Sequence, residues 1–327
     1  MKRRSGRPAG HAGEIRPRAE ARGRTRTIVA AETQTSSAIF NSKPNLGIAT
    51  IANDKVYDWV VPFLESWRQT NAGTPLYVIP YDDNCERTRK ACDVFGARFV
   101  KPDNVALDVL AKRLYPRYPH HRRRLRKFLS LALPLDEVIY VDVDIVLLRD
   151  LSCFFGLVEK DKLDFIVAAP TKEYVYNRRR KKYPFLKDKM LFNDGFFVTS
   201  NKILPIESFH EVIERDEAIF HDVRQRGMLF AQPLTNFVTH RKELIIEPIF
   251  RVLANASGES FYKARTVRFD PDGLPIDALG DRIFFAHWAG AVSLPRKRVF
   301  DKAWLAFADA GQRRMAATED QIQSMIA

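Results

Sequence analysis

Between Leu46 and Val100 the chain alternates strand and helix patterns, and this order restricts the fold more than any other feature. Leu46-Gly-Ile-Ala-Thr-Ile51 is short, apolar and partly β-branched, and it ends at Asn53-Asp54, the pattern of a strand feeding a loop. Trp59, Val60, Phe63, Leu64 and Trp67 then recur at helical spacing, with Pro62 near the first turn, where proline is tolerated. Leu76-Tyr-Val-Ile79 is a second strand, ending at Pro80-Tyr-Asp-Asp-Asn84. Residues 85–95 form a helix carrying Cys92 and Phe95, and Ala97-Arg-Phe-Val100 is a third strand. A β-α-β-α-β order predicts a parallel sheet covered by helices, an α/β fold.

The chemistry concentrates further on, in Glu137-Val-Ile-Tyr-Val-Asp-Val-Asp-Ile-Val-Leu-Leu-Arg149. An apolar run of this kind is a buried strand, yet Asp142 and Asp144 interrupt it. Burying a charge without a partner costs several kcal/mol or more, on the order of what a whole domain can spare. A divalent cation is the usual reason, because carboxylate oxygens suit Mg²⁺ or Mn²⁺. Strand alternation sets residues i and i+2 on one face, so both carboxylates can reach one ion. A bland alternative has the pair capping the next turn.

Around this strand a helical pattern covers about Arg123–Leu133, and Leu163–Ala169 is another buried strand. Residues 171–189, with Arg178-Arg-Arg-Lys-Lys182, are expected to form a mobile basic loop, a candidate lid. Phe192–Thr199 is a strand with a polar start, followed by a helix over Phe209–Gln225 and a strand at Leu244–Ile249. Ile283-Phe-Phe-Ala-His-Trp288 is a late strand, and the chain is helical from about Lys302. There is no internal repeat.

Bulk properties narrow the function classes. A chain of 327 residues suffices for one large α/β domain. Cys85, Cys92 and Cys153 are too few and scattered for a disulfide framework or a zinc site, and are expected to be small buried hydrophobes in a reducing compartment. No stretch reaches the ~18 apolar residues of a membrane span, and no apolar segment of a secretory signal follows the basic N-terminus. The net charge is +13, but residues 1–30 alone hold nine basic and two acidic side chains, a net +7. Residues 1–43 are therefore expected to be a disordered basic arm preceding a single domain at 44–327.

Four pieces occur in order: Asn53-Asp54-x-x-Tyr57, Tyr140-Val-Asp-Val-Asp144, Phe192-Asn-Asp-Gly195 and Phe285-Ala-His-Trp-Ala-Gly290. Together they resemble the nucleotide-sugar glycosyltransferases of GT-A fold, in particular the retaining family 8 group that includes glycogenin and the bacterial lipopolysaccharide galactosyl- and glucosyltransferases. The resemblance spans about residues 45–305. It implies a Rossmann-like, mostly parallel sheet flanked by helices, and a metal-dependent transfer of a hexose from a UDP-sugar to an acceptor hydroxyl with retention.

The resemblance also implies residue roles. Asp142, Asp144 and His287 would bind Mn²⁺ or Mg²⁺; taken alone, His287 could equally be a hydrogen-bonded core histidine. Ile51, Ala52, Asn53 and Tyr57 match the uridine-binding turn, although Tyr57 could simply pack on the first helix. Lys127 stands where the family keeps a sugar- or phosphate-contacting lysine, 15 residues before Asp142, within an Arg-rich stretch that would also suit a solvated face. Asn193 and Asp194 match the start of the sugar-binding strand, Gln232 matches a glutamine near the reacting carbon, and Gly290 belongs to the late His-x-x-Gly. The catalytic set is thus Asp142, Asp144 and Gln232.

Two departures stand out. Ala231 replaces an aspartate common in the family, and Ala291-Val-Ser-Leu-Pro follows Gly290 where Lys-Pro-Trp is usual, displacing the nearest basic residues to Arg296–Arg298. Two other classes share parts of the pattern. Val141–Val146 also fits the Asp-x-Asp strand of haloacid-dehalogenase-type phosphatases, though that motif normally opens its domain. The basic patches would suit a nucleic-acid-binding protein, but no helix-turn-helix, zinc or aromatic RNA platform accompanies them, so nucleic acid is not the expected partner. The expected partners are a UDP-sugar and a glycan, glycolipid or protein acceptor. The expected location is cytoplasmic, with peripheral contact at the inner face of a membrane favoured by the basic surface.

Overall fold

The computed structural model describes residues 44–103, 105–160, 162–171, 175, 186–219, 231–253, 259–261, 268–277, 280–291, 294–295 and 301–326. The proposed basic arm (1–43), most of the basic loop and Arg296–Arg298 lie outside the described residues.

Seven described strands form the main sheet: β1 (Leu46–Ala52), β2 (Leu76–Pro80), β3 (Arg98–Phe99), β4 (Glu137–Val141), β6 (Phe165–Val167), β7 (Phe196–Ser200) and β8 (Ile246–Pro248). Their order is β3-β2-β1-β4-β7-β6-β8. The first four are parallel, β7 runs antiparallel between β4 and β6, and β6 pairs parallel with β8. The fold is thus the expected α/β arrangement, a mostly parallel sheet flanked by helices.

Among the described residues the α-helices are α1 (Tyr57–Asn71), α2 (Glu86–Phe95), α3 (Val105–Leu114), α4 (Pro119–Arg124), α5 (Glu207–Arg215), α6 (Ala231–Arg241), α7 (Ile249–Val252) and α8 (Asp301–Ile326). Strand alternation sorts them into two layers. In β4, Ile139 and Val141 join a core with Phe63 and Leu64 of α1 and Phe95 of α2. Val138 and Tyr140, one residue out of phase, join Leu110 of α3, Phe209 of α5 and Phe237 of α6.

Strands β5 (Ile145–Leu147), β9 (Glu259–Phe261) and β12 (Phe285–His287) form a smaller sheet in the order β5-β12-β9, while β10 (Arg268–Phe269) pairs antiparallel with β11 (Pro275–Ile276). At the three-stranded sheet Val146, Ala286 and Trp288 pack with Trp304 and Phe307 of α8. The Trp288 indole donates to Asp301 Oδ1 at 3.0 Å, fastening the first turn of α8.

Several expected boundaries move. The helix expected over Arg123–Leu133 is two pieces, α4 and a 3-10 helix at Leu125–Ala132. Pro119 starts the segment early, as a first-turn proline does, and Pro134 holds Leu133 extended at φ −67°, ψ 149°. The strand expected from Phe192 begins at Phe196, because Asn193 Oδ1 accepts the Gly195 N–H at 2.7 Å and turns the chain first. The helix expected over Phe209–Gln225 starts at Glu207 and ends at Arg215, where Asp216 leaves the helical conformation, and residues 220–225 lie outside the described residues. Cys85 and Cys92 are buried, but Cys153 is exposed, since Phe154 takes the core position of that turn.

Candidate active site

The carboxyl end of β4 is held from two sides. The Asp142 N–H donates to Gly195 O at 2.7 Å, and the Trp288 N–H donates to Asp144 O at 3.0 Å. Between these anchors the antiparallel register of β12 on β5 sets His287 opposite Ile145. His287 Nε2 therefore lies 3.3 Å from Asp144 Oδ1. Asp142, Asp144 and His287 each offer a ligand atom within 4.8 Å of the others. The ring of His287 is 1% exposed, while both aspartate side chains are 30% exposed, so the cluster opens toward solvent through its carboxylates.

Gly195 makes this convergence possible. A Cβ there would stand 2.6 Å from His287 Cε1, 2.8 Å from Asn193 Oδ1 and 2.9 Å from Asp142 Oδ2, closer than any side chain tolerates. Two carboxylates and an imidazole are hard-to-borderline donors of the kind Mn²⁺ or Mg²⁺ takes, so the set fits such an ion.

Lys127, on the 3-10 helix, is not on a solvated face. It is buried, with Nζ 3.0 Å from Asp194 Oδ1, 3.1 Å from Asp194 O and 3.4 Å from Asp142 Oδ1. Its ammonium also lies 4.9 Å from the centre of the Tyr140 ring. Burial pulls the lysine down, but Asp142 and Asp194 outweigh it and hold it above the ordinary lysine range. Asp194 is buried too, and its second oxygen accepts the Thr235 hydroxyl of α6 at 2.8 Å.

The neighbouring carboxyls titrate apart. Burial raises Asp142 above the ordinary aspartate range, Lys127 opposes this, and Asp144 and Asp194 add to it. Burial also pushes Asp144 up, but the charge and hydrogen bond of His287 prevail and hold it below the ordinary range. The Tyr140 hydroxyl donates to Asp142 Oδ1 at 2.8 Å, and burial followed by the Asp142 charge keeps it protonated far above the usual range.

On the α6 side, Asn193 Nδ2 donates to Gln232 Oε1 at 3.3 Å, and both side chains border the Gly195 turn. Asn236 clamps the same turn: its Oδ1 accepts the Phe192 N–H at 3.0 Å and its Nδ2 donates to Phe192 O at 2.8 Å.

The second group of expected site residues lies at the carboxyl end of β1. Ala49 pairs with Tyr140, so two residues on along both strands come Ile51 and Asp142. Ala52 O accepts the Tyr81 N–H at 2.8 Å, and Asn53 Nδ2 donates to Asp82 Oδ2 at 2.9 Å. Tyr57 is buried under the Arg87 guanidinium, which sits 3.9 Å from its ring centre. Gly290 adopts a left-handed φ of 69° in the turn after β12, where the Ala291 N–H closes on Trp288 O at 2.9 Å.

Four residues of this cluster were assigned no role from sequence, although Tyr140 and Gly195 belong to its motifs: Tyr140, Gly195, Thr235 and Asn236. Tyr140 looked like core, and it is, but it lies two positions before Asp142 on the same strand face, a usable signal.

No protein-family profile matches the sequence, and no curated protein matches it. Solved structures do match in fold. The galactosyltransferase LgtC, in complex with donor and acceptor sugar analogs, is 12% identical with a TM-score of 0.54, over 82% of this chain and 95% of that one. The bifunctional glycosyltransferase WbbM is 10% identical with a TM-score of 0.51, over 85% of this chain and 53% of that one. The glycosyltransferase GlyE of Streptococcus pneumoniae TIGR4 is 9% identical with a TM-score of 0.50, over 85% and 64%. At these identities the shared property is the fold, of glycosyltransferase GT-A type.

Proposed function

We propose that the chain is a metal-dependent glycosyltransferase that moves a hexose from a UDP-sugar to an acceptor hydroxyl. The observation that carries this reading is the convergence of Asp142, Asp144 and His287 at the carboxyl end of β4. Ligands of α/β sheets bind at that edge. LgtC, which has this fold, is a galactosyltransferase. The family 8 assignment, retention at the anomeric carbon and the single-domain reading of 44–327 belong to the same proposal.

Asp142, Asp144 and His287 would hold Mn²⁺ or Mg²⁺. Such an ion would supply neutralisation of the donor diphosphate as negative charge builds on the leaving nucleotide. The chain's own groups bind and orient. Ile51, Ala52, Asn53 and Tyr57 form the nucleoside side of the site, beside the Asp pair. Lys127, tied to Asp142 and Asp194, puts a fixed positive charge next to the sugar–phosphate region. Asn193, Asp194 and Gln232 line its sugar side, and Gly290 shapes the turn that follows His287. One LgtC structure carries an active-site mutation of glutamine to glutamate, and we assign Gln232 a corresponding place near the reacting carbon. A carboxamide is a poor nucleophile, so its role is to orient the sugar or the departing phosphate.

Ala231 offers no carboxylate, and the nearby Asp194 has both oxygens engaged, Oδ1 with Lys127 and Oδ2 with Thr235. Asp194 approaches α6 one turn beyond Ala231, through Thr235, whose hydroxyl also donates to Ala231 O at 2.9 Å. The phosphatase alternative gains nothing here, because the Asp pair follows three earlier strands of the sheet rather than opening it. No described helix is long and apolar enough to cross a membrane. A cytoplasmic location with peripheral contact at an anionic membrane is proposed on charge alone.

Calorimetric titration of UDP tests the reading. Binding with Mn²⁺ that disappears in EDTA and in Asp142→Ala is the expected result. No binding under either condition would overturn it.

A further inference from the structure

Asp142 has two carboxylate oxygens, and their surroundings differ. Oδ1 accepts the Tyr140 hydroxyl at 2.8 Å and faces the Lys127 ammonium at 3.4 Å. Oδ2 points instead to the cleft left by Gly195, where His287 Cε1 is also in range of a Cβ. Tyr140 cannot swing away from this task. It is fully buried, and its ring stacks on Phe197 of β7 at 5.0 Å between centres and 15° between planes. The Lys127 ammonium, itself pinned by Asp194, lies 4.9 Å from the centre of the Tyr140 ring.

We infer that Tyr140 is a positioning residue of the cation centre: its hydroxyl fixes Asp142 by Oδ1, so that Oδ2 is presented toward Asp144 and His287. The inference rests on the metal centre of the proposed function and adds to it the group that orients one ligand. The physics is that of outer-shell partners in metal sites, where a hydrogen bond to a ligating carboxylate fixes its rotamer and leaves one oxygen for the ion. Without the hydroxyl, Asp142 can turn Oδ1 wholly to Lys127, which competes with the ion for the same carboxylate.

The test uses the full chain and reads Mn²⁺ binding directly, through loss of the electron paramagnetic resonance signal of the free ion. Wild type is expected to bind, and Tyr140→Phe is expected to bind about 10–100-fold more weakly. Phe197→Leu is the packing control: it removes the stacked ring but keeps the hydroxyl, so it should lower the melting temperature while leaving Mn²⁺ affinity unchanged. Equal Mn²⁺ affinity in wild type and Tyr140→Phe overturns this inference alone. Equal weakening in Tyr140→Phe and Phe197→Leu also overturns it, since packing would then be the cause. No binding by wild type overturns the metal centre and, with it, this role for Tyr140.

Discussion

Lys127 Nζ lies 3.0 Å from Asp194 Oδ1 with both side chains buried, at 6% and 4% exposure. A buried pair that loses one member leaves the other charge uncompensated, which costs about 3–5 kcal/mol. Lys127→Ala strands two carboxylates, Asp194 and Asp142, so it is expected at the upper end of that range. Lys127→Met combined with Asp194→Asn removes the charge pair together and should recover part of the loss. Urea unfolding of the three proteins measures this. If the double variant is no more stable than Lys127→Ala, the pair is not the source of the loss.

Glu65 links α1 to the C-terminal helix. Its side chain is 2% exposed and takes Arg68 at 2.7 Å and Arg314 at 2.9 Å, with Gln69 also at 2.7 Å. Burial opposes its ionisation, but the hydrogen bonds from Arg68, Gln69 and Arg314 lower its pKa from 4.5 to about 2. A depressed carboxyl stabilises the fold above its unfolded pKa and stops doing so as pH falls through the folded one. The contribution is therefore complete above about pH 5 and is lost between there and about pH 2, with a size of about 3 kcal/mol. Glu65→Gln should be less stable at pH 7 and should show a flatter acid limb from pH 5 to 2. Parallel stability curves for the two proteins would remove the linkage.

Asp54 caps a helix from a distance. Its carboxylate accepts the Thr88 N–H at 2.8 Å, the Thr88 hydroxyl at 2.9 Å and the Arg87 N–H at 3.1 Å. These satisfy the first turn of α2, which its own flanking residue Cys85 does not cap. Asp54→Ala should cost about 1 kcal/mol, and Asp54→Asn less. Because Arg87 also covers Tyr57, the alanine variant should loosen that ring as well. Denaturant midpoints give the first effect, and amide exchange of Arg87 and Thr88 gives the second; full protection in Asp54→Ala would count against the cap.

These contacts show what a single sequence carries and what it hides. The alternation of Leu46–Val100 and the Asp-x-Asp strand were legible because period and polarity are local properties. Helix and strand ends shifted where a turn decided the matter, as at Asn193 and Pro134. Asp54 was invisible as a cap because its helix begins 32 residues later, across β2. Lys127 was ambiguous because its arginine neighbours share its charge, and only burial distinguishes it. The approach of His287 to Asp144 depends on antiparallel pairing of two strands far apart in the chain, which no local pattern encodes.

Gly195 offers the sharpest separation of fold from site. Its added methyl in Gly195→Ala would meet His287 Cε1 at 2.6 Å and Asp142 Oδ2 at 2.9 Å. Neither can retreat easily: the ring of His287 is 1% exposed, and Asp142 is held by Tyr140. Overpacking of this kind costs about 1–3 kcal/mol. The fold should survive that loss, because the sheet pairing of β7 begins only at Phe196. The ligand atoms, however, must separate, and a displacement of order 1 Å in a metal or reaction centre is worth about a hundredfold. Gly195→Ala is therefore expected to unfold cooperatively, a few degrees below wild type, while Mn²⁺ and UDP binding fall by about two orders of magnitude. Retained binding together with a large drop in melting temperature would instead make Gly195 a packing residue of the sheet edge.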